Sequence, residues 1–300
     1  MLTNDAGFQF EHILTVLQKY FSALHNCDAA VFNAMFHPQG LLLGVGPNHE
    51  IVVRDASQFC AGVEARGGSA QLASHDKIIS LEMVGSTCAT AEVQIALPPA
   101  PDSPTPTTDD TLYTDFLTLL KDPVLGWRII SKTYSSRALG APPSVAHRTE
   151  PADVAAVSAA LWGGYVAAGR VCDVEGMKRV FHPACRLTFA TDQSLVIVSS
   201  AEFCDEYVGR RWQRMPHAPY AHLKDDERIS GGDTLVSVSF AGPRVARAIL
   251  KVGYPPFLYT DVLLLLKLDD EWWIVAKSSA NQPFFEDESR PVAAGSAAAH

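Results

Sequence analysis

The sequence predicts a duplicated α+β fold, two copies of one unit in which helices come first and strands follow. Three observations predict it. The stretch NCDAAVFNAMFHPQG (26–40) recurs as VCDVEGMKRVFHPAC (171–185), which places Cys27, Asp28 and His37 over Cys172, Asp173 and His182 at one fixed offset. The segments YTDFLTLLK (113–121) and YTDVLLLLK (259–267) match in the same order, as do Trp127, Ile129 and Lys132 with Trp272, Ile274 and Lys277. Within each copy, helical periodicity gives way to runs of strand character. A repeat this long marks a duplicated domain, because solenoid units are shorter. The expected layout is one domain over 8–138, a linker over 139–152, a second domain over 153–283, and a tail (288–300) too poor in apolar residues to pack.

The first helix is read from FQFEHILTVLQKYFSAL, where Ile13, Leu17, Tyr20 and Leu24 form one apolar stripe. Asp28 is placed to cap a second helix, AAVFNAMF, which Pro38 helps to stop. In the second copy Asp153 starts the helix that carries Tyr165, and Asp173 caps the next. Strands follow at LLLGVG, EIVVRD, KIISLEMV, ATAEVQIAL, YTDFLTLL and WRIISKTY, separated by Gly, Pro, Asp and Ser. The stretch LPPAPDSPTPTTDD (97–110) is too rich in proline for a strand and reads as a long, mobile hairpin loop.

Composition narrows the function classes. At 47% hydrophobic and 19% charged, the 300 residues carry ample apolar material for two cores. A net charge of −9, with 24 basic residues against 33 acidic ones and no basic cluster, argues against nucleic acid. No apolar stretch is read as a membrane span, and the start MLTNDAGFQFEH lacks signal-peptide character, so a cytoplasmic location is expected by default. The six cysteines have no zinc-like spacing, and the pairing of Cys27 with Cys172 and Cys60 with Cys204 suits small core residues in a reducing compartment. His217 and His222 have no acidic or thiol partner at ligand spacing, so neither a metal nor a cofactor is expected.

Period-two alternation sends Tyr113, Asp115, Leu117 and Leu119 to one face of their strand and Thr114, Phe116, Thr118 and Leu120 to the other. Asp115 thus points where apolar side chains point, as does Asp261 among Tyr259, Leu263 and Leu265. A buried carboxyl must be hydrogen-bonded or kept neutral, so each is either the acid of a cavity facing Tyr20 or Tyr165, or part of an internal bond fixing sheet to helix. His37 and His182 are candidate ligand contacts and bases, with helix capping as their structural alternative. His75, leading into KIISLEMV, is the better candidate base. Lys132 and Lys277 either pair with a carboxylate or reach solvent along their stems. Val262, Leu264 and Leu266 make the outer face of the late strand apolar, which predicts that the two domains pack through their sheets; a further homodimer is not required.

The aromatic-His-Pro after helix two, the YTD strand and the closing Trp-x-Ile-x-x-Lys strand resemble the Putative lumazine-binding family of the NTF2-like, or SnoaL-like, superfamily. The resemblance implies cone folds in which helices pack into a strongly bent antiparallel sheet. It also allows a comparison with ketosteroid isomerase, whose oxyanion hole of a tyrosine and a protonated aspartic acid is a worked case in general treatments of catalysis. Tyr20 with Asp115, and Tyr165 with Asp261, resemble that pair. The position of its general base holds Gly44 and Phe189, neither of which accepts a proton, so that reaction is not expected. Three functions stay open: binding of an apolar or aromatic small molecule, with Tyr20, Tyr113, Asp115 and His37 or Tyr165, Tyr259, Asp261 and His182 as contacts; an isomerase, dehydratase or cyclase using His75, Tyr20 and Asp115; or a scaffold with filled cones.

Overall fold

The computed structural model describes residues 3–46, 49–65, 67–99, 110–141, 150–191, 193–209, 232–254 and 257–283. Most of the proline-rich connection, most of the linker, the tail, His217 and His222 lie outside them.

The first repeat opens with α1 (Thr3–His25) and α2 (Ala29–Met35). The α1 stripe of Ile13, Leu17, Tyr20 and Leu24 is buried, as its spacing requires. Asp28 caps α2 by accepting from Val31 N at 3.0 Å. Cys27, between the helices, takes a left-handed backbone (φ 52°), and Cys172 does the same in the second repeat (φ 56°). Both are half-buried turn residues, Cys27 packed against the first core, while Cys60 and Cys204 are buried. Strand β1 (Phe36–Val45) starts directly after α2, so His-Pro lies inside the strand and not at a helix end.

A hairpin leads to β2 (Ile51–Asp55), and then α3 (Ala56–Glu64), held by a reciprocal capping box between Asp55 and Gln58, and the 3-10 turn Ala70–His75 carry the chain to the far edge. The strands β3 (Lys77–Val84), β4 (Cys88–Leu97), β5 (Thr111–Asp122) and β6 (Gly126–Ala138) then return as an antiparallel meander. The sheet order is β2-β1-β6-β5-β4-β3. β1 and β6 run parallel, so the sheet is mixed and not purely antiparallel as expected. The crossover through α3 is the reason: it lets the last strand dock against the first in the same direction.

The second repeat has the same plan. Its first helix is α4 (Pro151–Ala159), a π-helical stretch (Ala160–Val166) and α5 (Ala167–Val171), followed by α6 (Val174–Lys178), with Asp173 accepting from Gly176 N at 2.8 Å. Glu150, not Asp153, is the N-cap. By length and composition, 151–171 is apolar enough to cross a membrane, which the sequence reading did not count. Here its Val157, Leu161, Tyr165 and Val166 pack into the core of the repeat. Strands β7 (Phe181–Ala190) and β8 (Leu195–Ser199), the short α7 (Ser200–Glu202) with its π-helical continuation (Phe203–Val208), and β9 (Thr234–Gly242), β10 (Val245–Tyr254), β11 (Phe257–Leu268) and β12 (Glu271–Pro283) complete a sheet ordered β8-β7-β12-β11-β10-β9.

Both sheets carry a bulge at the same place. Opposite β5, Ile130 is skipped between Ile129 and Ser131; opposite β11, Val275 is skipped between Ile274 and Ala276. Each bulge puts two consecutive residues on the outer face and resets which later residues face the helices.

The outer faces of the two sheets meet. Phe116 packs with Val245, Leu264, Leu266 and Val275, while Val262 packs with Cys88, Leu120 and Ile130, a reciprocal pattern about a local pseudo-twofold. Arg247, 4% exposed, crosses this seam. Its guanidinium stacks 4.9 Å from the Phe116 ring, lies 4.0 Å from Glu92 and donates to Thr90 Oγ1, the residue at its own position in the other repeat.

Candidate functional site

In each repeat α1 or its counterpart lays a tyrosine across the concave face of the sheet, where the late strand presents its aspartate. Tyr20 Oη donates to Asp115 Oδ2 at 2.7 Å, and Tyr165 Oη donates to Asp261 Oδ2 at 2.7 Å. All four residues are at most 2% exposed. The third member of each cluster is a lysine. Lys132 Nζ lies 2.6 Å from Asp115 Oδ2 and donates to Tyr20 Oη at 2.6 Å; Lys277 Nζ lies 2.7 Å from Asp261 Oδ1. Both lysines are buried, so they pair with the carboxylates rather than reaching water.

Aromatic rings close around each ammonium. Lys132 Nζ is 5.3 Å from the Tyr20 ring and 5.5 Å from those of Phe59 and Tyr134. Lys277 Nζ is 5.3 Å from Phe189 and 5.6 Å from Phe203. The quadrupole of each ring favours the cation, and the rings keep the pair away from solvent.

The repeats differ in how the carboxylate is satisfied. Directly across from Asp261 on β12 is Ser279, which accepts from Lys277 and donates to Asp261 Oδ1 at 2.6 Å. Directly across from Asp115 on β6 is Tyr134, whose ring reaches over Gly44, where a Cβ would come within 2.9 Å of it. Asp115 Oδ1 is buried with no hydrogen-bond partner among the described residues. The lining has diverged in a compensating way. Gly44 and Tyr134 of the first repeat stand where the second has Phe189 and Ser279, and Val63 stands where Tyr207 does. Phe189, Phe203 and Tyr207 stack on one another at 6.0–6.3 Å in the second repeat.

The remaining candidates fall elsewhere. Tyr113 and Tyr259 are half-buried at the rim of their cones, Tyr113 beside Tyr134 at 6.1 Å and Tyr259 between Tyr254 and Phe257. His37 does not line the cone. It faces an open cleft of about 430 Å³ between the repeats, with Gln39, Asp122, Val124 and Gln193. Alternation explains this, since Phe36 takes the inward position. His37 Nδ1 accepts from Gln39 N and His182 Nδ1 from Ala184 N, each at 3.1 Å, which leaves the proton of the neutral ring on Nε2. Burial holds both below the ordinary histidine value; for His37 the Asp122 carboxylate opposes that effect. His182 also lies on the outer side, edge-on to Trp273.

His75 is exposed at the end of its 3-10 turn, so it is not positioned as a base within the cone. The buried histidine nearby is His25, which sequence reasoning missed. Its Nδ1 is 2.9 Å from Ser69 Oγ and its Nε2 is 2.9 Å from both oxygens of Asp76. In the second repeat Arg170 takes the place of His25 and binds Asp233. The signal was present: both cations follow the helix-one tyrosine by the same interval, and both acids immediately precede the third strand. The Arg–Asp version has no imidazole, and Ser69 is wholly buried, so both pairs serve as ties between helix and sheet.

The thiols offer no nucleophile in either cone. Burial pushes Cys88 and Cys204 up to about 12 and Cys185 well above its ordinary value. Among the described residues no group of three or more His, Cys, Asp or Glu side chains is placed to hold a metal ion.

Solved structures similar to this chain include an NTF2-like protein of unknown function from Silicibacter pomeroyi, 20% identical, covering 44% of this chain and 98% of that one with a TM-score of 0.36. An NTF2-like protein of unknown function from Shewanella baltica is 22% identical, covering 43% and 94% with a TM-score of 0.35. A ketosteroid isomerase-like protein from Erwinia carotovora is 13% identical, covering 42% and 95% with a TM-score of 0.32. Among curated proteins none matches the chain. The family described as Putative lumazine-binding matches it twice, over residues 9–135 and 152–279, and the chain belongs to that family as a tandem of two copies.

Proposed function

We propose that this protein binds a small molecule in the cone of its first repeat, with Tyr20, Asp115 and Lys132 as the floor and Phe59, Tyr113 and Tyr134 as the aromatic wall. The observation that carries the reading is Asp115 Oδ1, a buried carboxylate oxygen without a partner among the described residues. Leaving such an atom unsatisfied costs more than a typical hydrogen bond contributes, so a ligand that donates to it would stabilise the protein. The isomerase-type alternative draws no support from the geometry. The Tyr20 hydrogen is directed at Asp115, the general-base position is Gly44, and His75 lies outside the cone.

The test is a thermal-shift screen of small apolar and aromatic compounds, lumazine among them because the family description names it. It compares wild type with Tyr20→Phe and Asp115→Asn. A ligand present at 100 times its Kd stabilises the native state by about 2.7 kcal/mol. In a chain of this size that raises Tm by several degrees, on the order of 2–4 °C per kcal/mol. Hits that shift wild type and lose their effect in the variants support the reading. Hits that stabilise all three proteins equally remove the proposed floor.

A further inference from the structure

Resting on that reading, we propose that the first cone selects aromatic molecules presenting an N–H or O–H donor to Asp115 Oδ1, and that the second cone is a closed structural copy. The two oxygens of Asp115 are not equivalent. Oδ2 already accepts from Tyr20 and pairs with Lys132. Oδ1 remains, and a carboxylate oxygen in a salt bridge can only accept. A carbonyl, carboxylate or ether placed against it would meet lone pair with lone pair in a medium that screens poorly. Complementarity therefore requires a donor, which is the reverse of an oxyanion hole, where the protein donates and the ligand accepts.

The second repeat shows what the closed state of the same cluster looks like. There Oδ2 accepts from Tyr165, while Oδ1 takes both Lys277 and Ser279, so no acceptor is left over. The switch between the two states is the residue opposite the acid on the closing strand. A serine is short enough to reach its direct neighbour, whereas Tyr134 carries its hydroxyl away over Gly44. Phe189 and Tyr207 stand in the second repeat where the first has Gly44, covered by the Tyr134 ring, and Val63.

Matched pairs of probes test the inference on the unaltered protein: indole against 1-methylindole, and phenol against anisole. Each pair differs by one methyl group that removes the donor. Thermal shift and titration calorimetry on the full chain should show indole or phenol binding at least tenfold tighter than its methylated partner. The double variant Gly44→Phe/Tyr134→Ser, which installs the second repeat's lining in the first, should abolish the difference while keeping a cooperative melt. Equal binding within each pair, or binding of the methylated member alone, overturns the donor inference and leaves the binding reading standing. Failure of every compound in this set and in the broader screen removes the binding reading, and the donor inference falls with it. Donor-dependent binding that persists in the double variant but vanishes with Asp261→Asn would place the site in the second cone, contrary to the proposal.

Discussion

Replacing Lys132 by methionine isolates what the buried cluster contributes. Methionine keeps most of the length and removes the charge, so Asp115 is left fully buried with Tyr20 as its one remaining donor among the described residues. Breaking a buried ion pair from one side costs about 3–5 kcal/mol, because a charge is stranded without compensation. Sulfur–aromatic contacts with Phe59 and Tyr134 return about 0.3–1.5 kcal/mol, for a net loss of roughly 3 kcal/mol. The equivalent Lys277→Met should cost less, since Asp261 keeps both Tyr165 and Ser279; the difference is one hydrogen bond to a charged group, about 1.5–3 kcal/mol. The triple replacement Tyr20→Phe/Asp115→Leu/Lys132→Met removes the cluster altogether and should recover most of the loss, as apolar substitution of whole buried ion pairs does. Urea titration followed by far-UV circular dichroism gives the free energies, and hydrogen exchange assigns them to a repeat. A Lys132→Met cost below about 1 kcal/mol, or a larger cost for Lys277→Met, would refute the reasoning.

Two further outcomes follow from the outer faces of the sheets. Burial holds His182 below its ordinary value of 6.5, so the unfolded chain takes up a proton first as pH falls. This contribution is intact well above pH 6.5 and is lost progressively as pH falls through and below it; His182→Gln should lessen the fall of the urea midpoint between pH 7.5 and pH 5, with the part due to His37 remaining, and an unchanged slope would contradict the assignment. Arg247→Met removes the guanidinium from Phe116 and leaves Glu92, whose carboxyl burial already pushes up, without its compensating cation. A loss of about 1–3 kcal/mol and a split of the single unfolding transition into two are expected, and a single unshifted transition would show that the apolar seam alone couples the repeats.

Much of the fold was legible because the duplication let each segment be read twice. All six strands of the first repeat were marked by their β-branched and apolar runs, and alternation along YTDFLTLLK put Asp115 inward correctly. The parallel pairing of β1 with β6 was not legible, because strand direction depends on a crossover that alternation does not record. The lysines stayed ambiguous for a specific physical reason. Counting by twos from Trp127 and Ile129, both inward, places residue 131 inward and Lys132 outward. The bulge at Ile130 reverses the phase, so Lys132 and Tyr134 face the helices instead. The same reversal at Val275 brings in Lys277 and Ser279. His25 was passed over because it closes a helix, where a cation is unremarkable; only its Asp76 partner from another element makes it a tie.

The comparison between repeats also decides how much weight the cluster itself deserves as a sign of function. Tyr165, Asp261, Lys277 and Ser279 form a network in which both carboxylate oxygens have partners, and three stacked rings lie beside it. A tyrosine, an aspartate and a lysine can thus persist in this fold for packing alone: removing any one strands the others, so substitution is opposed whether or not a ligand binds. Preservation of the three residues in the first repeat is then no argument for a site. What is informative is the departure from the closed arrangement. With Tyr134 where the second repeat has Ser279, one acceptor of a buried carboxylate is unmet, which lowers stability unless something else satisfies that oxygen. The functional claim therefore rests on Oδ1 of Asp115 and on the tyrosine that leaves it uncovered, and the second repeat serves as its internal control.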